Sequence, residues 1–328
     1  MAKHLAAFPL FLFSWICYLA LACNGCAPPP ERPVQRVECP QRLISTVPSI
    51  TEVLFDIGLG DRIVGDSRFT TYPPETKDIE KIGGLHDTNW EKVVDLKPHL
   101  VLMLMGKEVC GMEVPKLGIE TLTVDHRSME GVLESYDVIG RRFGPDVMQT
   151  AQARKAVLKE ELKAIQSKAA KYRPVRVLIC VDRDRESGRL HNLYVAGTSP
   201  YFQDAIRWAG GINVAETTGL AFPNMSVEGI VAMNPDVIVD LMVGEVVKRS
   251  GNSFDEEPEK TEDDLIADWK TLGNEVNAVK TGRIVVVTED YATIPGPRTP
   301  LFVEKLFEIL HGEESKQKPD DLDTPQKQ

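Results

Sequence analysis

One phrase occurs once in each half of the chain. Residues 91–102 read EKVVDLKPHLVL, and residues 228–239 read EGIVAMNPDVIV. Each copy starts with Glu, has a Pro seven positions later and ends in a run rich in Val, Leu and Ile. Apolar runs of this kind are typical of strands that are buried on both faces. The repetition predicts, in each half, a helix that opens with Glu and leads into an inner strand.

The order of predicted elements also divides the chain in two. Strand and helix patterns alternate over 41–144, and the alternation restarts over 173–312. Residues 145–172 begin with Pro, contain no interior Gly or Pro and are dense in good helix formers, which predicts one rod of roughly 38 Å. We therefore expect an α/β fold of two lobes with central, mostly parallel sheets, joined by a single long helix.

The first residues differ in composition from the rest of the chain. Residues 1–22 hold one Lys and a long apolar run that ends in small residues before Cys23, the pattern of a secretory signal peptide. LALAC resembles the lipobox of bacterial lipoproteins, which makes Cys23 the expected lipidation site and Cys26 a second candidate. An uncleaved membrane anchor is the alternative, because the apolar run is close to the length that spans a bilayer. Either way, the remainder is expected to be exported and tethered to the membrane.

Three segments lack the pattern of a packed core. Residues 23–40 are Pro-rich and predict an extended tether, and 313–328 form a polar tail that is expected to be disordered. Residues 248–264 are an acidic insertion in the second lobe, predicted as a solvated loop.

The remaining cysteines do not show metal-site spacing. The chain contains no C-x-x-C, and outside the cytoplasm cysteines such as Cys39 and Cys110 could pair. Cys180, within VRVLICVD, is predicted to be a buried strand thiol.

Charge and motifs argue against nucleic-acid binding and against common catalytic sites. The formal net charge is −11, whereas a nucleic-acid partner requires a basic face. The sequence has no G-x-x-x-x-G-K-[ST], no G-x-S-x-G and no G-x-G-x-x-G. The histidines are never at i, i+4 spacing, so His86 with His126 or His191 would hold a metal only if folding joined them. We predict no catalytic residue, no resident cofactor and no metal site.

Five stretches, in a shared order, resemble the substrate-binding proteins of ABC importers for vitamin B12 and ferric siderophores. They are RLISTVPSITEVLFDIGLGDRIVGDSRFTTYPPE, KIGGLHDTNWEKVVDLKPHLVL, VAGTSPYFQDAIRWAGGINVAE, VEGIVAMNPDVIV and PGPRTPLFVEKLFEIL, within about 41–312. The resemblance implies the class III periplasmic-binding-protein fold, in which a rigid helix joins two lobes and limits their closure. It also implies a monomeric, lipid-anchored receptor on the periplasmic or cell-surface side, with an ABC permease–ATPase complex as its partner.

The resemblance assigns a role to the repeated Glu. In this family one Glu on each lobe docks onto arginines of the permease, and Glu91 and Glu228 stand at the matching positions. The alternative is helix capping, because Thr88-x-x-Glu91 fits a capping box and Ser226 could cap the other helix. Ser49 is likewise expected to cap the first helix of the first lobe.

The resemblance places the ligand between the lobes, against loops that follow strands. The candidate contacts are Phe69 and Tyr72 in SRFTTYPPE, Leu85 and His86 in GGLHD, Met105, Tyr201, Phe222 in LAFPNM, and Tyr291 and Arg298 in EDYATIPGPR. Aromatic walls with few polar groups suit a large, flat or amphipathic ligand. The alternative for each ring is a place in a lobe core. Arg298 could pair with an anionic siderophore or a propionate, or cap a neighbouring loop.

The ligand class stays open between a corrinoid and a ferric siderophore. B12 binders of this family often carry a Trp in the loop that reads GGLHD here, and heme binders often carry a Tyr where this chain has Gly84. A corrinoid is slightly favoured, because no cluster of basic cleft residues stands out for a strongly anionic chelate. His86 could coordinate cobalt or iron axially. The alternatives are a heme receptor, a zinc or manganese receptor, and a tethered sensor or enzyme on the same fold.

Overall fold

The computed structural model describes four stretches of the chain, 38–106, 117–184, 189–243 and 261–312. The predicted signal peptide, both lipidation candidates, most of the tether, Cys110, most of the acidic insertion and the tail lie outside these stretches. No helix within them combines the length and the apolar character that a membrane crossing requires.

The first lobe is built on a five-stranded sheet with only parallel pairs. In chain order the strands are β1 (Leu43–Ser45), β2 (Ile63–Asp66), β3 (Glu80–Lys81), β4 (Leu100–Leu104) and β5 (Thr121–Val124), and across the sheet they stand as β3-β2-β1-β4-β5. The helices of this lobe are α1 (Pro48–Asp56), α2 (Trp90–Asp95) and α3 (Met129–Phe143). The central strands β1 and β4 are almost wholly buried, as their apolar sequences require.

The second lobe is built on a mostly parallel sheet. Its strands are β6 (Val175–Asp182), β7 (Leu193–Val195), β8 (Gly211–Asn213), β9 (Asn224–Met225), β10 (Val237–Leu241) and β11 (Ile284–Val287). They stand as β11-β10-β6-β7-β9, with β8 also paired to β6. Among these strands, β7 runs opposite to the others: its pairs with β6 and β9 are antiparallel, and the remaining pairs are parallel. The helices are α5 (Pro200–Trp208), α6 (Val227–Met233), α7 (Glu262–Lys270), α8 (Asn277–Lys280) and α9 (Thr299–His311).

Both copies of the repeated phrase form a short helix followed by an inner strand, as predicted. Helix α2 leads into β4, which lies between β1 and β5. Helix α6 leads into β10, which lies between β6 and β11. The two halves therefore use the phrase in the same structural place.

The long helix between the sheets is α4 (Pro145–Ala169), and its first residue is a Pro, which suits the first turn of a helix. Leu158 and Leu162 on this helix belong to a contiguous apolar core that also contains Ile50 of the first lobe and Phe302 of the second. Because the lobes share this core, separating them would return apolar surface to water.

A carboxylate at the end of α1 ties three helices together. Asp56 accepts hydrogen bonds from the Tyr136 hydroxyl of α3 (2.7 Å) and from Nε of Arg154 on α4 (2.9 Å). Burial and the neighbouring carboxylate raise the pKa of Tyr136, so the phenol stays a donor. The contacts fix the long helix against the first lobe.

Two local predictions are corrected by the positions of helix ends. Helix α1 is preceded by Val47, so Ser49 is its second residue and not its cap; the Ser49 hydroxyl instead lies 2.9 Å from Nδ1 of His126. The end of the predicted solvated loop is the start of α7, where Thr261 and Asp264 form a capping box. Each cap is set by the backbone turn around it, which a run of residue types does not specify.

We predict that Leu158→Ala lowers the free energy of unfolding by about 2–5 kcal/mol, because it empties part of a core that both lobes use. Urea denaturation followed by circular dichroism should show a single transition at lower urea. The neighbouring Val157 is exposed, so Val157→Ala is the control and should change stability by less than about 0.5 kcal/mol. Two transitions, of which only one moves, would contradict a shared core.

Two buried side chains should make stability respond to pH in opposite directions. Burial lowers the pKa of His126 from 6.5 to about 4. The contribution of neutral His126 to the free energy of unfolding is therefore complete above pH 6.5 and is lost as pH falls towards 4. Burial raises the pKa of Asp66 from 3.8 to about 6, although Nζ of Lys81 lies 2.8 Å away. The contribution of Asp66 is complete below pH 3.8 and is lost as pH rises towards 6.

His126→Gln should therefore reduce the loss of stability between pH 7 and pH 4 by about 3 kcal/mol, and Asp66→Asn should increase that loss by about as much. The measurement is the free energy of unfolding at the two pH values for each variant and the wild type. Shifts in the same direction for both variants would show that the assigned groups are not responsible.

Candidate functional site

The candidate contacts of the first lobe lie on loops at one edge of its sheet. Phe69 and Tyr72 follow β2, His86 follows β3 and Met105 follows β4. Because the strands are parallel, their carboxyl ends meet at the same edge, where ligands of open α/β sheets bind. The exposed fractions are 58% for Phe69, 43% for Tyr72 and 52% for Met105. All three apolar side chains lie outside the lobe core, and His86, on the loop after β3, is exposed as well.

The ring of Phe69 is held by the loop that follows β3. The guanidinium of Arg68 lies 4.8 Å from the ring centroid and pairs with Asp87 at 2.5 Å. Asp87 also accepts a hydrogen bond from the Gly84 N–H (3.0 Å). A Cβ on Gly84 would lie only 2.7 Å from the Phe69 ring, so only glycine fits there without moving the ring. The two loops are thereby fixed to each other.

In the second lobe, Phe222 lies on a loop with an exposed apolar tip. Its ring is 49% exposed and meets Phe202 edge-on at 6.2 Å between centroids. Leu220, on the same loop, is 61% exposed, and its carbonyl accepts a hydrogen bond from the Thr198 N–H (2.7 Å). Sequence reasoning missed Leu220, although an apolar residue after the turn at Gly219 was a usable signal.

Tyr201 does not line this surface, which corrects its assignment as a ligand contact. The side chain is only 4% exposed, and its ring packs against Phe202 and Phe302. Its hydroxyl points to the Tyr291 carbonyl at 3.4 Å, and its backbone N–H donates to the Arg127 carbonyl of the first lobe (3.1 Å). Tyr201 therefore lies in the core behind the line of contacts between the lobes, here called the seam, which includes its own hydrogen bond to Arg127.

Arg298 joins the two lobes and contacts the rings of Tyr72 and Tyr291, both of which were predicted to contact the ligand. Its guanidinium makes two hydrogen bonds to Glu52 of the first lobe, at 2.6 and 3.0 Å, and one to Asp290 at 2.6 Å. The guanidinium carbon lies 4.2 Å from the Tyr72 ring centroid and 5.9 Å from that of Tyr291. Burial raises the pKa of Glu52, an effect that Arg298 opposes. Glu52 was missed from the sequence because its partner lies 246 residues away.

The two repeated glutamates are exposed and stand in the same register. Each is the second residue of its helix, Glu91 in α2 and Glu228 in α6. Asn89 and Ser226 are the caps, each accepting a hydrogen bond from the N–H of the third helical residue. The predicted capping box of Thr88 with Glu91 is therefore wrong. The N–H of Glu228 itself and the Ser226 hydroxyl lower the pKa of Glu228, which keeps it ionised.

The histidines are not joined into a metal site. His126 is buried against Ser49, and Nε2 of His191 lies 3.1 Å from Asp184. Within the four described stretches, no three His, Cys, Asp or Glu side chains converge in a way that could hold an ion.

Comparison with known proteins agrees with this architecture. The model of the periplasmic binding protein family matches residues 43–291. An uncharacterized ABC transporter substrate-binding lipoprotein of Bacillus subtilis, YvrC, is 32% identical over 83% of this chain and 80% of its own length. A cobalamin-binding protein of Halobacterium salinarum is 30% identical over 83% of this chain and 70% of its own length.

The fold is also similar to that of solved structures. The apo form of the periplasmic heme-binding protein RhuT from Roseiflexus sp. RS-1 superposes with a TM-score of 0.67 at 23% identity, over 83% of this chain and 98% of that one. The family match spans both sheets and the helix between them. The chain belongs to the periplasmic binding protein family, whose members are substrate-binding proteins.

Proposed function

We propose that this chain is the extracytoplasmic substrate-binding lipoprotein of an ABC importer, anchored through Cys23, and that it carries a corrinoid between its lobes. The observation that supports it most is the exposure of four large apolar side chains on loops of the two lobes, Phe69, Tyr72, Met105 and Phe222. Surfaces of this kind suit a large, amphipathic ring system.

The charge around Arg298 favours a ligand without several negative groups. Glu52 and Asp290 already hold the guanidinium, and the Glu52 side chain is only 1% exposed. An anionic group that took this arginine would leave a buried carboxylate without its cation, which costs about 3–5 kcal/mol. The peripheral groups of a corrinoid are mostly neutral amides, so a corrinoid can bind without taking Arg298 from Glu52. The cobalamin-binding relative supports the same ligand class.

The packing of Phe69 against Gly84 also favours a corrinoid over heme. The resemblance places a Tyr of many heme binders at this position, and a Cβ alone would already lie 2.7 Å from the Phe69 ring. A Tyr at this position would require the side chains of Phe69 and Asp87 to move.

The ligand is tested by calorimetric titration with cyanocobalamin, cobinamide, hemin, an uncharged ferric hydroxamate and an anionic ferric catecholate. We expect saturable binding of cyanocobalamin with Kd below about 1 μM. Phe69→Ala and Phe222→Ala should each raise Kd roughly tenfold, because each removes a large exposed ring. Ile212→Ala is the control: Ile212 is 47% exposed, like Phe222, but it stands within strand β8, paired with Arg176 of β6, and not on a predicted ligand loop. Tighter binding of hemin or the catecholate would overturn the assignment.

The docking role is tested by reversing both charges. Glu91→Lys with Glu228→Lys should abolish cyanocobalamin uptake by the source cells and leave Kd unchanged, because both side chains are exposed and neither caps its helix. Glu130→Lys is the matched control, since Glu130 is an exposed second residue of α3 after a Ser cap. It carries the same helix-dipole cost and should retain uptake. Uptake by the double variant would show that the glutamates do not dock.

A further inference from the structure

A chain of polar contacts crosses between the lobes twice. Glu52 on α1 holds Arg298 through two parallel hydrogen bonds, the paired geometry that gives arginine–carboxylate contacts their directionality. The remaining amino group of Arg298 bonds to Asp290, whose second oxygen accepts a hydrogen bond from the Thr71 hydroxyl of the first lobe (2.9 Å). This chain of contacts therefore runs from the first lobe to the second and back.

The same guanidinium contacts the rings on either side of the seam. Its edge faces the carboxylates, while Tyr72 of the first lobe lies 4.2 Å away and Tyr291 of the second lies 5.9 Å away, measured to the ring centroids. Thr71 and Tyr72 are adjacent in sequence, as are Asp290 and Tyr291. The chain of polar contacts and the two aromatic side chains therefore share the same two loops. We therefore expect the loss of one of these polar contacts to move the Tyr72 and Tyr291 side chains.

We propose that Arg298 is a positioning residue, which fixes the distance between the lobes and, with it, the spacing of the Tyr72 and Tyr291 side chains. The inference rests on the proposed function in taking these rings as ligand walls. Arg298 acts through Glu52 and does not receive a charged group of the ligand. Loss of the Glu52 contact should loosen the seam and weaken ligand binding without removing any ligand contact.

The test uses Glu52→Gln and Arg298→Lys in the full chain. Glutamine keeps the shape of Glu52 but not its charge, and lysine keeps the charge of Arg298 but not its planar fork. Spin labels in place of the exposed Asp95 and Lys270, one on each lobe, report the inter-lobe distance by electron–electron double resonance. Calorimetry reports Kd for cyanocobalamin. Both variants should broaden the distance distribution and raise Kd roughly tenfold, the effect expected when preorganised walls become mobile.

A structural control separates positioning from loss of stability. Asp56 lies one turn beyond Glu52 on α1 and pairs with Arg154 of α4, so Asp56→Asn breaks a comparable contact that does not cross the seam. It should lower the melting temperature and leave both the distance distribution and Kd unchanged.

Three outcomes would overturn the proposal. One is a distance distribution in Glu52→Gln that matches the wild type. Another is cyanocobalamin binding that Arg298→Lys preserves, because a direct charge contact tolerates lysine. The third is a Kd for cyanocobalamin that Arg298→Lys raises and Glu52→Gln leaves unchanged, which would mean that Arg298 acts on the ligand directly and not through Glu52. If the wild type does not bind cyanocobalamin, the proposed ligand fails, and the distance distributions still decide the role of Arg298.

Discussion

The apolar core that passes from one sheet to the other through α4 is the constraint on which the rest of the structure depends. Leu158 and Leu162 of the long helix pack in the same core as Ile50 and Phe302, so the largest apolar core of the described residues is shared by both lobes. Large hinge motions would expose that core, and only small rearrangements remain inexpensive. The surface between the lobes is therefore largely formed before a ligand arrives, which reduces the ordering cost of binding.

Two arginines hold aromatic rings at this surface, and the strength of their carboxylate pairs differs. Arg68 stacks on Phe69 and pairs with Asp87, where both charged side chains are about half exposed. Such an exposed pair adds little to stability and can rearrange around a ligand. The pair of Arg298 with Glu52 is nearly buried, so breaking it leaves an uncompensated charge. On our proposal, the buried pair sets the distance between the lobes, whereas the exposed pair lies within the first lobe alone.

Features that depend on many residues were predictable from the sequence, and features that depend on one contact were not. The composition of α4 and the repeated phrase each average over a dozen residues or more, which is why the architecture could be predicted. The caps assigned to Ser49 and Thr88 failed because the helix ends are set by the backbone turns there, which residue types do not specify. Helix α3 contains Gly131 and Gly140, which weaken a helical pattern, and Gly140 is required by close packing against α4. Tyr201 was misplaced because its seam partners are distant in sequence.

An acid at the second position of a helix is favoured by the helix dipole alone, and Glu130 occupies that place in α3 without belonging to the repeat. What distinguishes Glu91 and Glu228 is that they stand on opposite lobes of a body whose seam also sets the spacing of Tyr72 and Tyr291. If a permease binds both glutamates, as we propose, it also holds the lobes at one distance. Linkage makes this coupling reciprocal: the factor by which docking changes ligand affinity equals the factor by which the ligand changes docking affinity. If docking delivers the ligand as we propose, the docked spacing of the lobes must differ from the one that the buried Arg298–Glu52 pair favours.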